Sequence, residues 1–216
     1  MNTKRIIFWV GFVIVLALIV WGLIAAINKE KGASPNGPKV GIPAPITSID
    51  HVRGPENASV TFIEYSDFQC PACQIYHPIV ENIFASSTVP IRMVYRHYPL
   101  PQHSNALISA QASEAASLQG KFWEMYHLLF INHTEWTELG DPRDVFAGYA
   151  QRIGLNVTKF KADMDGTVAK DAVQKQLAEG QVLGIYQTPT FFLNGKMIEN
   201  PQSYEQFKTA IEAAAK

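Results

Sequence analysis

The sequence is poor in cysteine and has little net charge. Only two of its 216 residues are cysteine, so the chain lacks the several disulfide pairs that small secreted scaffolds use in place of a large core. Lys and Arg number 18 against 19 Asp and Glu, a formal net charge of −1. This balance excludes a strongly basic nucleic-acid-binding surface and an acidic solvating tail. We therefore expect no nucleic-acid partner.

One stretch near the N-terminus lacks charge and polar side chains altogether. Residues 6–27 are apolar apart from Gly11 and Gly22. As an α-helix this stretch would span about 33 Å, which matches a hydrocarbon core of about 30 Å. It is longer than the apolar region of a cleaved signal peptide, which remains the alternative. We predict one N-terminal transmembrane helix that serves as an uncleaved anchor.

The charges that flank this stretch indicate its orientation. Lys4 and Arg5 precede it, whereas Glu30 offsets Lys29 and Lys31 after it. The positive-inside rule then places the N-terminus in the cytoplasm. The folded domain is therefore expected on the extracytoplasmic side of the cell (inner) membrane, attached by a single pass.

Composition divides the chain into three parts. Residues 1–28 are predicted to form a cytoplasmic stub and the transmembrane anchor. Residues 29–47 are rich in Pro and Gly, too rich for a helix or a central strand, and read as a linker. Residues 48–216 have the apolar content of one folded domain.

The folded domain starts with a βαβ pattern. Residues 60–66 (VTFIEYS) are β-branched and aromatic, a Cys-Pro start and a helical pattern follow, and residues 91–97 (IRMVYRH) read as a second strand. A crossover helix makes the two strands parallel. The pattern between residues 102 and 184 is helical. Asn194-Gly195 then marks a hairpin, and a final helix follows.

This element order predicts an α/β sheet with an inserted helical subdomain at about residues 102–184. The aromatic stripe Phe122, Trp123 and Tyr126 has helical spacing. Such stripes usually form a buried face, so we interpret it as packing and not as a substrate site.

The two cysteines are three residues apart, in Cys70-Pro71-Ala72-Cys73. At a helix start, the first sulfur lies beside unpaired backbone N–H groups and the positive end of the helix dipole, which favour the thiolate. Cys70 is thus the expected nucleophile. Cys73, one turn further on, can attack a mixed disulfide formed at Cys70 and is the expected resolving thiol.

Two other interpretations of the cysteine pair are weaker. Cys-x-x-Cys is half of a structural zinc site, but no second Cys pair or His cluster completes it, even with His77 nearby. An inert structural disulfide would close so short a loop that it would restrict the unfolded chain little. We expect no metal and no cofactor beyond a redox-active disulfide.

Four segments together resemble a known family. They are FIEYSDFQCPAC at 62–73, YPL at 98–100 with HSNA at 103–106, QGKFW at 119–123, and TPTFF at 188–192. Over about residues 48–215 the chain resembles DsbA-type thiol–disulfide oxidoreductases of the thioredoxin superfamily, in particular their membrane-anchored members. The resemblance implies a thioredoxin fold. The dipeptide is Pro-Ala and not the Pro-His of the soluble enterobacterial enzyme, so a moderate oxidising power is expected.

The resemblance also assigns roles residue by residue. Pro189 matches the family's cis-proline, which faces the cysteines, and Thr188 would offer its backbone to substrate. With the dipeptide Pro71 and Ala72, these residues are the expected substrate-binding set. Glu64 matches an acidic position beneath the active site, where it would move a proton to or from Cys73; a structural salt bridge is the alternative.

The function expected from these features is protein disulfide oxidation outside the cytoplasm. The substrates would be reduced or unfolded secreted proteins, and a quinone-linked membrane oxidase of the DsbB or VKOR type would reoxidise the expected monomer. A reductase or isomerase on the same fold is one alternative, and a non-catalytic membrane-tethered binding or chaperone module is another. The five scattered histidines His51, His97, His103, His127 and His133 are expected at the surface or in local hydrogen bonds.

Overall fold

The structure is a computed structural model that describes residues 9, 12, 16, 18–22 and 40–216. Residues 9, 12, 16 and 18–22 are helical and exposed. In the described part of the chain, no helix is long and apolar enough to cross a membrane. Most residues of the predicted anchor at 6–27 and of the predicted linker at 29–47 lie outside the described residues. The chain divides into two units at residue 39, and the second unit contains the folded domain.

The domain is built on a five-stranded sheet with the order β1-β3-β2-β4-β5. β2 and β3 are parallel, and the other three pairs are antiparallel. The strands are β1 His51–Arg53, β2 Val60–Ser66, β3 Ile91–His97, β4 Thr190–Leu193 and β5 Lys196–Ile198. The parallel β2 and β3 confirm the predicted βαβ unit. The edge strand β1 is three residues long, too short for an alternating pattern to reveal it.

Eight helices accompany the sheet in residues 40–216. They are α1 Pro71–Ser86, α2 Ala106–Ser117, α3 Phe122–Ile131, α4 His133–Trp136, α5 Arg143–Arg152, α6 Val157–Asp165, α7 Thr167–Leu183 and α8 Tyr204–Ala214. α1 connects the parallel strands, and α2 to α7 lie between β3 and β4. The predicted α/β fold with an inserted helical region is therefore confirmed.

Side chains of β2 alternate between the two faces of the sheet, as the period of a strand requires. Phe62 packs into the larger apolar core, which also contains Cys73 and Phe207. Ile63 and Tyr65 pack into a smaller core on the other face. Because Glu64 follows Ile63, it points to the face that contains Cys73.

The aromatic stripe of α3 is buried in the larger core. Phe122 is 5% exposed and Tyr126 is fully buried, while Trp123 is partly buried against them. The packing interpretation of this stripe is confirmed. Asn194 and Gly195 both have positive φ, 47° and 80°, and form the turn of the predicted β4–β5 hairpin.

Candidate active site

Cys70 lies in the turn between strand β2 and helix α1, directly before the helix begins. It is the N-cap residue of α1 with extended backbone angles, and Pro71 occupies the first helical turn. Its N–H donates to the carbonyl oxygen of Asp67 at 3.1 Å, which closes the turn before the helix. Both cysteines are free thiols; Cys70 is 5% exposed and Cys73 is fully buried. Both cysteines are thus buried, and Cys70 is the more exposed of the two.

The surroundings of Cys70 favour its thiolate. The Cys73 thiol, which can donate a hydrogen bond to it, contributes most to lowering the pKa of Cys70 from 9.0 to about 5. Burial opposes this change, while Thr188 and the N–H groups of Cys73 and Ala72 reinforce it. Those two N–H groups belong to the first turn of α1, where no helical partner exists for them.

Cys73 has the opposite tendency. Burial raises its pKa well above 9.0, and the Cys70 sulfur and the Glu64 carboxylate raise it further because they place negative charge nearby. The pair is therefore asymmetric, with a thiolate at the helix start and a protonated thiol one turn inside. This is the arrangement that a nucleophile and a resolving thiol require.

The loop before β4 faces the cysteines. The Thr188–Pro189 bond is cis, in agreement with the expectation from the resemblance. The Cys70 thiol donates to the Thr188 carbonyl oxygen at 3.5 Å. Thr188 and Pro189 are both buried, and among the described residues the Thr188 hydroxyl has no hydrogen-bond partner.

Glu64 is buried beneath this site. It is 1% exposed, and burial raises its pKa from 4.5 to about 7, although Ser66 and the positive charge of Arg53 act in the other direction. No ion pair of Glu64 occurs in the part of the chain that the structure describes, and its Oε2 atom has no hydrogen-bond partner there. The salt-bridge alternative therefore has no support, and the relay role stays a prediction.

The dipeptide between the cysteines lies at the surface. Pro71 is exposed and Ala72 is partly buried. Pro71 lines a groove of about 480 Å³ together with Gln69, residues 102–104, His133 and residues 137–140. Substrate-binding roles for Pro71, Ala72, Thr188 and Pro189 stay predictions.

Asp67 is a site residue that the sequence did not reveal. Its side chain is fully buried, and burial raises its pKa above 3.8 against the effect of its hydrogen bonds. Oδ1 accepts the N–H of Gln69 at 2.8 Å, and Oδ2 accepts the N–H of Leu100 at 3.0 Å. The ring of His103 lies 2.6 Å from Oδ2. An Asp side chain often accepts the backbone N–H two residues later and so stabilises a turn. This tendency is the one feature of the sequence that could have indicated Asp67.

Gln69 ties the cysteine turn to the helical insertion. Its amide donates to the Thr137 carbonyl at 2.8 Å, and its side-chain oxygen accepts the N–H of Asn105. Nε2 of His133 donates to the Gln69 carbonyl at 3.0 Å. The insertion thus fixes the backbone directly before Cys70.

The five histidines predicted at the surface or in local hydrogen bonds each have a hydrogen-bond partner 17 to 64 positions away in the chain, so these bonds are not local. Two clusters among the described residues have the ligand spacing of a metal site, His51–His97–Glu114 and His77–Glu81–His127. Neither contains a cysteine, so the zinc interpretation of the Cys70–Cys73 pair gains no further ligands from them. In the first cluster a single Glu114 oxygen already contacts the Nε2 atoms of both histidines, at 2.7 and 3.0 Å.

Comparison with known proteins assigns the family. The family model described as thioredoxin, Thioredoxin_4, matches residues 47–213. The chain therefore belongs to the thioredoxin family. The position of Cys70 and Cys73 at the start of α1 is compatible with thiol–disulfide exchange on this fold.

Solved structures share the fold. BdbD from Bacillus subtilis, in its oxidised form, matches with a TM-score of 0.73 at 22% identity, over 83% of this chain and 99% of that one. Wolbachia pipientis alpha-DsbA1 matches with a TM-score of 0.70 at 20% identity, over 79% and 92%. A thioredoxin-like oxidoreductase from Silicibacter pomeroyi matches with a TM-score of 0.65 at 22% identity, over 78% of this chain and 93% of that one. At such identities the likeness establishes the fold.

Curated relatives match at higher identity over part of their length. The Na(+)/H(+) antiporter NhaA 3 of Salinispora tropica is 36% identical over 166 residues, 76% of this chain and 24% of the relative. NhaA of Herminiimonas arsenicoxydans is 35% identical over 166 residues, which are 77% of this chain and 26% of that relative. This chain thus spans about a quarter of the length of these relatives.

Proposed function

We propose that this protein is a disulfide donor that oxidises the thiols of extracytoplasmic proteins through Cys70 and Cys73. The observation that carries the proposal is the asymmetry of the two sulfurs: Cys70 has its pKa lowered to about 5 and is the more exposed, whereas Cys73 is fully buried with a raised pKa. A low thiolate pKa stabilises the reduced enzyme and thereby makes its disulfide a good donor.

The exchange proceeds in two steps. A substrate thiolate attacks Sγ of Cys70 in the oxidised enzyme, the new S–S bond forms, and the Cys70–Cys73 bond breaks with its electron pair on Cys73. A second substrate thiolate then attacks the substrate sulfur of the mixed disulfide, and Cys70 leaves as a stable thiolate. The substrate is oxidised by two electrons and the enzyme is reduced to its dithiol.

Glu64 would supply a proton to Cys73 in the first step. A buried Cys73 thiolate is unstable next to the Cys70 sulfur, and the carboxyl with a pKa of about 7 holds a proton at neutral pH in part of the molecules. Returning that proton when Cys73 attacks is the reverse of the same transfer.

A chain with Cys73→Ala tests the exchange directly. Attack by Cys73 is the route by which a mixed disulfide is resolved within the enzyme. In this variant the Cys70 thiolate attacks a disulfide of a substrate protein and releases the other substrate cysteine as a thiolate, so we expect covalent adducts with secreted proteins to accumulate. Adducts are separated on non-reducing gels and identified by mass spectrometry. Cys70→Ala is the matched control and should give none. If Cys73→Ala captures no partner, a binding or chaperone module becomes the better description.

We further propose that residues 6–27 anchor the protein in the cell membrane with the domain outside. The uncharged length of this stretch and the basic residues before it support this placement. A tether would raise the effective concentration of the enzyme near a membrane oxidase of the DsbB or VKOR type, which would reoxidise it. Protease protection of right-side-out and inverted vesicles tests the topology: only the former should lose the domain.

A further inference from the structure

Residues 102–104 separate two surface grooves beside the active site. The first groove, of about 480 Å³, contains Gln69 and Pro71, the neighbours of Cys70 in the sequence. The second, of about 690 Å³, contains Ile185 and Tyr186, shortly before Thr188. His103 lines both grooves. A substrate segment that lies in either groove therefore contacts this histidine.

His103 is held by a buried carboxylate. Its Nδ1 atom lies 2.6 Å from Oδ2 of Asp67, whose two oxygens also accept the backbone N–H groups of Gln69 and Leu100. A carboxyl that accepts three donors is in its acceptor form. The neutral imidazole then carries its proton on Nδ1, and Nε2 has a free lone pair. Among the described residues, Nε2 of His103 has no hydrogen-bond partner.

The same aspartate also positions Cys70. The Asp67 carbonyl accepts the N–H of Cys70 at 3.1 Å, so the turn that positions Cys70 and the carboxylate that orients His103 belong to one residue. The dipeptide Pro71–Ala72 contributes no titratable group of its own. A base beside Cys70 must therefore come from outside the Cys-x-x-Cys motif.

We propose that His103 is a catalytic residue that accepts the proton of the incoming substrate thiol; this rests on the proposed disulfide exchange. Nε2 takes the proton, the resulting thiolate attacks Sγ of Cys70, and the Cys70–Cys73 bond breaks with its electron pair on Cys73. Asp67 stabilises the imidazolium, as an aspartate does for the base of a hydrolase triad. The imidazolium then releases the proton to solvent, and no other oxidant or reductant takes part.

The size of the effect follows from the substrate. A cysteine thiol has a pKa of about 8.5 and is only a few per cent ionised near pH 7. A base that deprotonates it on arrival can accelerate the reaction by at most about 30-fold there. Above about pH 9 the thiol is ionised in solution, and the base has nothing left to contribute.

The test is the rate at which the oxidised full-length protein, in detergent, oxidises a peptide with two cysteines, between about pH 6 and 9.5. His103→Asn keeps a donor near the Nδ1 position for Asp67 but removes Nε2. We expect it to lower the second-order rate constant by about 10- to 30-fold near pH 7, with the deficit vanishing by about pH 9. His127→Asn, outside both grooves, is the control and should match the wild type.

A structural role for His103 predicts a different result. If the histidine only fixes the loop on Asp67, His103→Asn loses the same factor at every pH or loses nothing, and either outcome overturns the proposal. The other titratable groups that line the two grooves or contact His103 are Asp67, Tyr98, His133, Glu138 and Tyr186, and they are unchanged in this variant. His103→Gln serves as a second variant if His103→Asn folds poorly.

A second substrate separates this proposal from the proposed function. An aromatic monothiol that is already ionised at neutral pH needs no base, so it should attack the Cys70–Cys73 disulfide of His103→Asn at the wild-type rate. A loss with this thiol as large as with the peptide would overturn the role of His103. If the wild type oxidises neither substrate, the proposed disulfide donation itself fails.

Discussion

The thiol of Cys70 donates to the carbonyl oxygen of Thr188 at 3.5 Å, although 118 residues separate them in the chain. The contact arises because β2 and β4 are antiparallel neighbours, with Tyr65 opposite Thr190. The cysteine turn leaves one end of β2 and the proline loop enters β4 at the same end. In the chain, the helical insertion therefore separates the cysteine turn from the proline loop, although both belong to one site.

Titration of Cys70 is the first prediction. In the reduced protein its thiolate should form with a pKa of about 5. Because the Cys73 thiol is the largest contributor to this low value, Cys73→Ala should raise the pKa of Cys70 toward its ordinary value. Ultraviolet thiolate absorbance and the pH dependence of alkylation report it. An unchanged pKa in Cys73→Ala would show that the helix N–H groups suffice.

Glu64 should make stability depend on pH. Its pKa rises from 4.5 in the unfolded chain to about 7 in the folded one, so the folded state binds the proton more tightly. The contribution of Glu64 to the free energy of unfolding of the oxidised protein, in which Cys70 has no thiol to titrate, should therefore fall as pH rises from about 4.5 through about 7, by about 3 kcal/mol in all. Glu64→Gln should remove most of this slope, as measured by urea unfolding at several pH values.

The same Glu64→Gln variant tests the proton relay. We expect the rate at which Cys73 resolves a mixed disulfide to lose its inflection near pH 7. A pH profile equal to that of the wild type would leave Glu64 with no part in the exchange.

Glu114 is predicted to stabilise the attachment of edge strand β1. Burial alone would raise its pKa, but hydrogen bonds from His51 and His97 lower the pKa of Glu114 to about 2. Glu114→Ala leaves two buried rings without their acceptor and should lower the free energy of unfolding by about 3 kcal/mol near pH 7. The loss should shrink as pH falls from about 4.5 toward 2, where wild-type Glu114 becomes protonated.

The control for this variant is Glu138→Ala, which removes an exposed carboxylate and should change stability by less than about 0.5 kcal/mol. Denaturant unfolding at neutral and acidic pH measures the change in the free energy of unfolding for both variants. Equal losses in the two variants would mean that the histidine–glutamate contacts add nothing.

Gly180 allows helix α7 to approach the loop after β3. A Cβ at this position would lie 2.6 Å from the ring of Tyr98, whose hydroxyl donates to the Ile185 carbonyl. Despite the better helix propensity of alanine, Gly180→Ala should destabilise the protein by about 1 to 2 kcal/mol. Gly148→Ala, with no atom within 4 Å of the new Cβ, should instead stabilise it by up to about 1 kcal/mol. Thermal unfolding compares the two.

The sequence predicts those parts of the site that are local. Cys70, Pro71 and Cys73 begin a helix after a strand, and periodicity, a proline and the cysteine spacing all lie within a few residues of one another. The hairpin at Asn194 is equally local, since both turn residues need positive φ. Pro189 became a site residue only through the resemblance, because nothing in its neighbourhood points to Cys70.

Contacts between distant segments could not be predicted. Asp67 and His103 are 36 residues apart and lie on different loops, and neither has a pattern that demands the other. Gly180 looks like a helix-weakening residue until Tyr98 is seen against it. Such pairings depend on how the insertion packs, which a single sequence does not specify.

The equilibrium of the Cys70–Cys73 pair with glutathione tests the central claim most directly. The fraction of oxidised protein is measured by thiol alkylation across a series of reduced-to-oxidised glutathione ratios. A donor whose thiolate is stabilised by Cys73 and the helix N–H groups, without help from Ala72, should have a potential between about −270 mV, the value of thioredoxin, and about −120 mV, that of DsbA. A potential at or below that of thioredoxin would contradict disulfide donation and make the protein a reductase.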